Sequence, residues 1–497
     1  MPGSNELFEL IKSLTKSEKR HFKLHCRLHR GRNNYERLFD AIERQQQYDE
    51  AAIRQEFAGE TFVRQLHATK YYLRQLILRT LRSYHAGNSK SVEARQCLRD
   101  AEILFNKELY FQANTALQKA ERLAREYELD GLLCDVLDLK RSLAQSVRPH
   151  QFDALEAIIA DQQEVIRRLD NRNRYVDLII GVSRSVMSGD QTNLEHEDWL
   201  DSDTNARTLE ALVMHYNARY FREIRDGTSS KAEQTLQTLI DRLEAVPHRI
   251  AESPGLYVSS INNFVSFYVF NKQYDKAMDL IQRGKDVYQQ WTLKSENRSL
   301  LKQVLRTYTI ELEVMRNHTL QSTAQDRIDA IATFVEEHAG KMPRSYALLF
   351  WFQLGYIYFM RGDSKTALHW VNRFIQTRYK QVRTDLQTHA RMLNLMIHLD
   401  EGSQFVMRYF VDSTRRFLKK HGRIQPYETE LLRFFSRMGR TGPLDRRSEF
   451  RALRDKLFPS GESPLVPESA LAYIDYDLWL EGRCRRDFST PVEITPR

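Results

Sequence analysis

Long segments with apolar residues three and four positions apart, the spacing of one helix face, run through nearly the whole chain and predict an all-α protein. The pattern is clearest over residues 347–379. Trp351, Leu354 and Tyr358 fall on one helical face, and Gly355 sits among them where a side chain would hold a second helix away. Arg361-Gly362-Asp363-Ser364 interrupts the pattern, with Gly362 suited to the left-handed position after a helix and Asp363 or Ser364 to the next N-cap. Ala367, Val371 and Phe374 then repeat the apolar spacing, with Ala367 as the small residue facing Gly355. The stretch predicts two antiparallel helices sharing one close seam.

The same spacing recurs with less fidelity. With Cys97 in the place of Trp351, the corresponding positions are Ala101, Leu104, Ala113, Leu117 and Ala120; with Ile261 they are Val265, Tyr268, Ala277, Ile281 and Gly284. Polar turns at Asn106-Lys107-Glu108 and Asn271-Lys272-Gln273 stand where Arg361 to Ser364 stands. Tyr216, Ala232, Leu236 and Leu239 outline a degenerate copy, in which Tyr220 replaces the small residue and Glu223 interrupts the face. The separations are not multiples of one period, so atypical helices must intervene. Residues 154–170 and 325–338 supply amphipathic helices for this, whereas 188–205 reads as a polar loop. Helices continue over 386–399, 404–421, 428–438 and 447–457, until Pro459, Gly461, Pro464 and Pro467 end the array. Residues 470–481 read as a capping helix and the remainder as a disordered tail.

The first ninety residues form a separate pattern. A short helix over 6–12 precedes the capping-box sequence Thr15-Lys16-Ser17-Glu18, which starts a second helix running to about residue 30. A third helix over 34–46 turns Tyr35, Leu38, Phe39 and Ile42 inward, and a fourth covers 49–57. After the turn Ala58-Gly59-Glu60, one long helix over 61–84 is marked by Phe62, Leu66, Leu73, Leu76, Ile77, Leu81 and Tyr84. The expected organisation is therefore a basic N-terminal helical domain over 1–86, an array of hairpins over 91–457, and a C-terminal cap and tail over 458–497.

Trp351, Leu354, Gly355, Tyr358 and Ala367 follow, in order, the pattern of the tetratricopeptide repeat, a helix-turn-helix unit of about 34 residues that this stretch resembles. Val371 and Phe374 match loosely, and Tyr379 stands where the pattern has proline. The resemblance implies a right-handed α-solenoid of irregular hairpins, and a binding scaffold without a reaction of its own. It also implies that the first helix of each unit lines a groove. Carried over residue by residue, that face is Asn262, Ser266 and Val269 in one unit and Phe352, Tyr356 and Phe359 in the best-preserved one. A polar floor beside an aromatic one suits an extended peptide or a helix. The other reading is that the helix is apolar all round because neighbours bury it on both sides. The clamp by which some members of the family hold a chain terminus is not matched, since Phe352 and Tyr356 stand where Lys or Asn is needed.

Composition and charge refine this picture. Only 19 Gly and 12 Pro in 497 residues argue against a turn-rich β protein, and a hydrophobic content of 41% fits a thin, extended helical one. Cys26, Cys97, Cys134 and Cys484 are scattered and form no paired motif, which disfavours a disulfide framework or a cysteine metal site. The N-terminal MPGSNELFEL has no basic stretch leading into an apolar core, and the longest apolar run, 346–360, is shorter than the roughly 20 residues of a membrane span. A cytoplasmic protein without membrane contact is expected. Net charge is +9 and unevenly placed: residues 1–90 hold 17 Lys and Arg against 10 Asp and Glu, and residues 415–456 hold 13 against 5. Such regions attract an acidic partner, either nucleic acid or an acidic protein face, or are solvated helix surface.

Signals for chemistry are few. No Walker loop, GxGxxG, GxSxG or HExxH occurs, so neither an enzyme nor a cofactor is expected. His21, His25 and His29 are four apart on the second helix, but no carboxylate or cysteine motif completes a metal site, and Lys19, Lys23 and Arg27 would repel a cation. Residues 49–57, the turn at Gly59 and the helix from Thr61 have the size of a helix-turn-helix, with Arg64, His67, Tyr71, Arg74 and Arg82 on the polar side. Arg64 or His67 near the helix start would reach base edges. Lys16, Lys19, Arg20, Lys23, Arg27 and Arg30 make the second helix basic around its polar side, which suits contact with a phosphate backbone. Two functions follow as expectations. The first is a scaffold or adaptor whose solenoid binds protein partners; the alternative is a nucleic-acid-binding regulator with a helix-turn-helix-like N-terminal domain and a partner-sensing solenoid.

Overall fold

The computed structural model describes residues 5–28, 34–87, 89–148, 150–188, 196–292, 298–317, 324–340, 342–377, 384–422, 424–439, 446–461 and 463–485. Among these residues the secondary structure is helical, with no strand, and no helix is long and apolar enough to cross a membrane. Two compact units divide the chain, Met1–Ser253 and Pro254–Arg497. The division falls inside the stretch expected as one array.

The first unit contains α1 (Glu6–Ser13), α2 (Lys16–Leu28), α3 (Asn34–Arg44), α4 (Glu50–Glu56), α5 (Thr61–Arg64), α6 (Leu66–Tyr84), α7 (Lys90–Asn106), α8 (Tyr110–Glu126), α9 (Asp130–Val147), α10 (Phe152–Ser188), α11 (Leu209–Arg225), α12 (Ser229–Glu244) and α13 (Pro247–Glu252). The second contains α14 (Pro254–Phe270), α15 (Tyr274–Thr292), α16 (Arg298–Asn317), α17 (Ala324–Glu337), α18 (Arg344–Met360), α19 (Ser364–Ile375), α20 (Thr384–Asp400), α21 (Gln404–His421), α22 (Pro426–Met438), α23 (Arg446–Leu457), α24 (Glu468–Leu471) and α25 (Tyr476–Arg485).

The capping box expected at Thr15 forms. The Thr15 N–H donates to Glu18 Oε2 at 2.8 Å, and the Glu18 N–H donates to Thr15 Oγ1 at 3.2 Å, so two donors at the start of α2 are satisfied reciprocally. Leu7, Ile11, Phe22, Leu38, Ile42 and Ile77 belong to a core cluster whose buried members all lie between Leu7 and Ile77. The helix expected over 61–84 is broken at Gln65, whose backbone (φ −118°, ψ 37°) is not helical. The Thr69 hydroxyl lies within hydrogen-bond distance of the carbonyls of Phe62 and Gln65, at 3.4 and 3.1 Å, and supplies a partner at the break.

Beyond α6 one turn recurs. Glu108, Glu128, Gly227, Lys272, Gly362 and Gly402 all have positive φ. In each case the next residue's N–H donates to the carbonyl five positions back: Leu109 to Leu104, Leu129 to Ala124, Thr228 to Glu223, Gln273 to Tyr268, Asp363 to Tyr358 and Ser403 to His398, all at 2.8–3.0 Å. This six-to-one bond is the mark of the Schellman turn, which closes a helix C-terminus and sends the chain back. It produces the hairpins α7/α8, α11/α12, α14/α15, α18/α19 and α20/α21, and also joins α8 to α9. The Asp363 carboxylate then caps α19 by accepting from the Thr366 N–H at 3.0 Å.

The seams hold the residues that the sequence pattern placed there. Ala101, Ala113, Leu117 and Ala120 are buried, as are Ile261, Val265, Ala277 and Ile281. The degenerate copy is also a hairpin, with Ala232, Leu236 and Leu239 buried. Its interrupting Glu223 is accommodated by an ion pair to Arg219 at 2.9 Å. Helix α10 contains the segment expected over 154–170 but continues to Ser188. Asn171, Gly181 and three serines make that extension a poor helix former by itself, and the packing of Tyr175, Leu178 and Val182 against Leu200, Ala211 and Ala218 holds it. In the second unit α14, α16, α18, α20 and α22 touch in succession, and each packs against the helix that follows it. Glu311, fully buried on α16, is held by Lys285 of α15 at 3.0 Å and Arg327 of α17 at 3.6 Å.

A Cβ on Gly355 would meet Val371 Cγ2 at 2.7 Å. Gly355→Ala is expected to destabilise by about 1–2 kcal/mol despite alanine's better helix propensity, and Val371→Ala to relieve part of that loss, so that urea unfolding of the double variant shows a smaller cost than the sum of the singles. Lys272→Gly, which removes the left-handed strain of a residue with a Cβ, is expected to raise stability by up to about 1 kcal/mol in the same measurement.

Candidate functional site

Of the face expected as a groove, Asn262 and the three aromatic residues are enclosed, and Ser266 and Val269 are half-buried. Phe352 and Tyr356 are each 2% exposed and Phe359 3%. Asn262 is fully buried and joins α14 to α16: its Nδ2 donates to the Gln303 carbonyl at 2.9 Å, and the Thr307 hydroxyl donates to its Oδ1 at 2.8 Å. The Ser266 hydroxyl donates to the Asn262 carbonyl one turn back, at 2.8 Å. Asn262 is thus an interior contact between alternate helices, and the aromatic floor is interior as well.

What lies over the α18 face is the chain's own C-terminal segment, residues 472–484. The Arg316 guanidinium of α16 donates to the Ala472 carbonyl at 2.7 Å. The Tyr473 ring stacks on His389 of α20, centroids 4.5 Å apart, and meets Phe352 of α18 edge to face at 6.1 Å; its hydroxyl donates to Asp385 Oδ2 at 2.8 Å. The Asp475 N–H donates to the Tyr356 hydroxyl at 3.1 Å. Trp479 packs beside Phe434 and Phe435 of α22 and Phe450 of α23. Asp477 pairs with Arg454 at 2.7 Å, and Arg483 pairs with Asp400 of α20. The segment thus touches α16, α18, α20 and α22. Its own Ile474, Tyr476 and Leu480 are fully buried.

Burial pushes the Tyr356 and Tyr476 hydroxyl pKa values up, so both stay neutral. Burial also drives His389 down to about 4, against the weaker opposing pull of Asp385. His215 in the first unit is likewise driven down to about 4 by burial. A neutral imidazole at His389 is the form that stacks on Tyr473 without carrying a charge into the core.

The basic residues named from the sequence fall into two groups. Lys19 pairs with Glu43 at 3.1 Å, Lys23 with Asp40 at 2.7 Å and Glu43 at 3.2 Å, and Arg27 with Glu36 at 3.2 Å, so α2 spends these charges on α3. Arg74 reaches Glu6 at 4.0 Å. Lys16, Arg20 and Arg64 are exposed and have no ion-pair partner among the described residues. Arg30 and His29 lie outside the described residues. Lys70, with Tyr48 and Arg54, gathers on Glu50; hydrogen bonds from Lys70 and then Arg54 hold that carboxyl at about 2, which fixes α4 against α6.

The sequence reading missed the composition of α6 as a whole. No Asp or Glu occurs between Glu60 and Glu93. Arg64, His67, Tyr71, Tyr72, Arg79 and Arg82 are all exposed there, with Tyr71 56% and Tyr72 59% exposed. The signal was visible as a stretch of 32 residues without an acid, but helical phase alone did not show which cations stay open.

No family model, curated protein or solved structure matches the chain.

His389 in the unfolded chain takes up a proton near its ordinary 6.5, whereas in the folded chain it does so only near 4. Its contribution is present above pH 6.5 and lost as pH falls towards 4, at about 1.4 kcal/mol per unit of difference. The unfolding midpoint in urea is expected to fall between pH 7 and pH 4.5, and less steeply in His389→Gln than in the parent chain.

Proposed function

We propose that the protein is a macromolecular-interaction scaffold, a right-handed solenoid of tetratricopeptide-like hairpins that takes a polypeptide segment along the row of alternate helices in the second unit. The observation that carries this reading is the C-terminal segment itself. It lies across α16, α18, α20 and α22 and is gripped by side chains of each: Arg316, Phe352, Tyr356, His389, Phe434 and Phe435. A row that accepts one aromatic, partly helical segment in cis has the chemistry to accept a similar one in trans. The partner class is then a peptide or helix bearing aromatic residues, and the chain's own segment is the competitor it must displace.

A second reading has its own support in the first unit. The exposed arginines and tyrosines of α5 and α6, two helices without acidic residues, suit a nucleic-acid backbone, with Arg64, Arg79 and Arg82 on phosphates and Tyr71 and Tyr72 available for stacking. Of the contacts expected on α2, Lys16 and Arg20 remain open for it, while Lys19, Lys23 and Arg27 are engaged with α3.

A protease site inserted between Ser460 and Gly461 tests the first reading in the full chain. After cleavage the C-terminal fragment is expected to remain bound, and a labelled peptide of residues 465–485 to exchange with it, read by fluorescence anisotropy, with Tyr473→Ala speeding the exchange. A fragment that leaves only on global unfolding makes the segment an integral cap and removes the support for a groove. For the second reading, retardation of single- and double-stranded nucleic acid at low salt is expected to weaken as salt rises and to disappear in the Arg64→Glu, Arg79→Glu, Arg82→Glu variant. Retardation unchanged by that variant places any contact elsewhere.

A further inference from the structure

Helix α10 carries a surface feature that neither the core nor the readings above use. Phe152, Ile159, Ile166, Asn173, Ile180 and Met187 stand seven residues apart, and all six are exposed. Phe152 is 64% exposed, Ile166 53%, Ile180 51% and Met187 89%. Leu155, Leu169 and Val176, each three residues after a stripe position, are half-buried beside it. The side of the helix that packs inward is formed by other residues, among them Val165, Tyr175, Leu178 and Val182. Single exposed apolar side chains are ordinary, but a row at one register on a helix of 37 residues is a docking face. A seven-residue repeat is the spacing by which two long helices keep a common seam, here over about 55 Å.

We propose that α10 pairs antiparallel with α10 of a second copy of this chain, making the protein a homodimer. Charge selects both the occupant and the direction. Asp153 and Glu156 flank the stripe at its N-terminal end and Arg184 at its C-terminal end, and none of the three has an ion-pair partner among the described residues. A two-fold axis that sets Ile159 against Ile180 of the second copy, and Phe152 against Met187 of the second copy, brings Glu156 within one residue of the level of its Arg184. Ile179, Ile180, Ser183, Arg184 and Met187 line a shallow, largely apolar depression at that end, which receives the Phe152 ring. Parallel pairing would instead put the two acidic ends at one level and the two Arg184 residues at the other, and leave Glu156 far from Arg184. Asp170, which nears its own counterpart at the axis, is neutralised within its chain by Arg174 at 2.8 Å.

Analytical ultracentrifugation of the full chain tests the pairing. A dimer is expected for the parent protein, and a monomer with an unchanged circular-dichroism spectrum for Ile159→Lys combined with Ile180→Lys. Glu156→Arg and Arg184→Glu are each expected to weaken the dimer about tenfold, and the double exchange to return it to within about threefold of the parent. A parent chain that is monomeric at about 50 μM, or a dimer indifferent to the isoleucine changes, overturns the proposal. Charge exchanges that fail to compensate overturn the antiparallel register.

Discussion

Two helices that touch along their length must reverse direction within a few residues, and this constraint shapes the chain from α7 onward. The reversal needs one residue in the left-handed conformation and a following N–H aimed back into the first helix. Six turns meet it with the same bond. Three use glycine, and three use Glu108, Glu128 or Lys272, whose Cβ makes the conformation cost about 1–2 kcal/mol. That strain persists because the seam on either side is closed. At Gly355 the approach is close enough that a single Cβ would collide with Val371, while Ala101, Ala113, Val265 and Ala277 are buried at the corresponding places in other hairpins. Turn and seam support each other: the turn sets the helix separation, and the small residues allow it.

The parts of the fold legible in the sequence are those fixed by this constraint. The hairpin at residues 347–379 declares itself through Gly362 in the turn and Gly355 with Ala367 in the seam, and the Thr15-to-Glu18 capping box declares the start of α2. Turns at Glu108, Glu128 and Lys272 are legible only as polar interruptions, since no local rule places these residue types in the left-handed region. Helix α10 illustrates the opposite difficulty. Its second half has weak helix propensity and is held by Leu200, Ala211 and Ala218, which are distant in sequence. The candidate groove fails for the same kind of reason. The resemblance places Phe352 and Tyr356 on an open groove, but their exposure depends on residues 473–475, more than a hundred positions away.

Charge shows a similar division between what spacing reveals and what packing decides. The basic excess of the first ninety residues is real, but much of it on α2 is local pairing with α3, and exposed pairs of this type add only about 0–1 kcal/mol each. Their larger effect is to withdraw Lys19, Lys23 and Arg27 from any partner. Helix α6 has no acids of its own and receives few from its neighbours: Lys70 is engaged by Glu50, and Arg74 is touched by Glu6. In the first ninety residues the open positive surface therefore lies less on the cation-dense α2 than on α6, which carries no anion.

A helix inside a row of hairpins has one side against its own partner and others against the neighbouring hairpins, which leaves one further side to be covered or wetted. On α18 that side bears Phe352 and Tyr356, and leaving such side chains in water would forgo about 1.5–3 kcal/mol each. The C-terminal segment supplies the cover, with Tyr473 over Phe352 and His389, and Ile474, Tyr476 and Leu480 buried with it. On the scaffold reading proposed above, stability and partner binding on this row are opposed. A segment arriving from another chain gains only the difference between its own contacts and those it displaces, so a generic acidic or polar peptide has nothing to offer there. On that proposed reading, the partner carries an aromatic side chain able to stack on His389, a second able to enter between Phe435 and Phe450 as Trp479 does, and a carboxylate for Arg454 or Arg316 between or beside them.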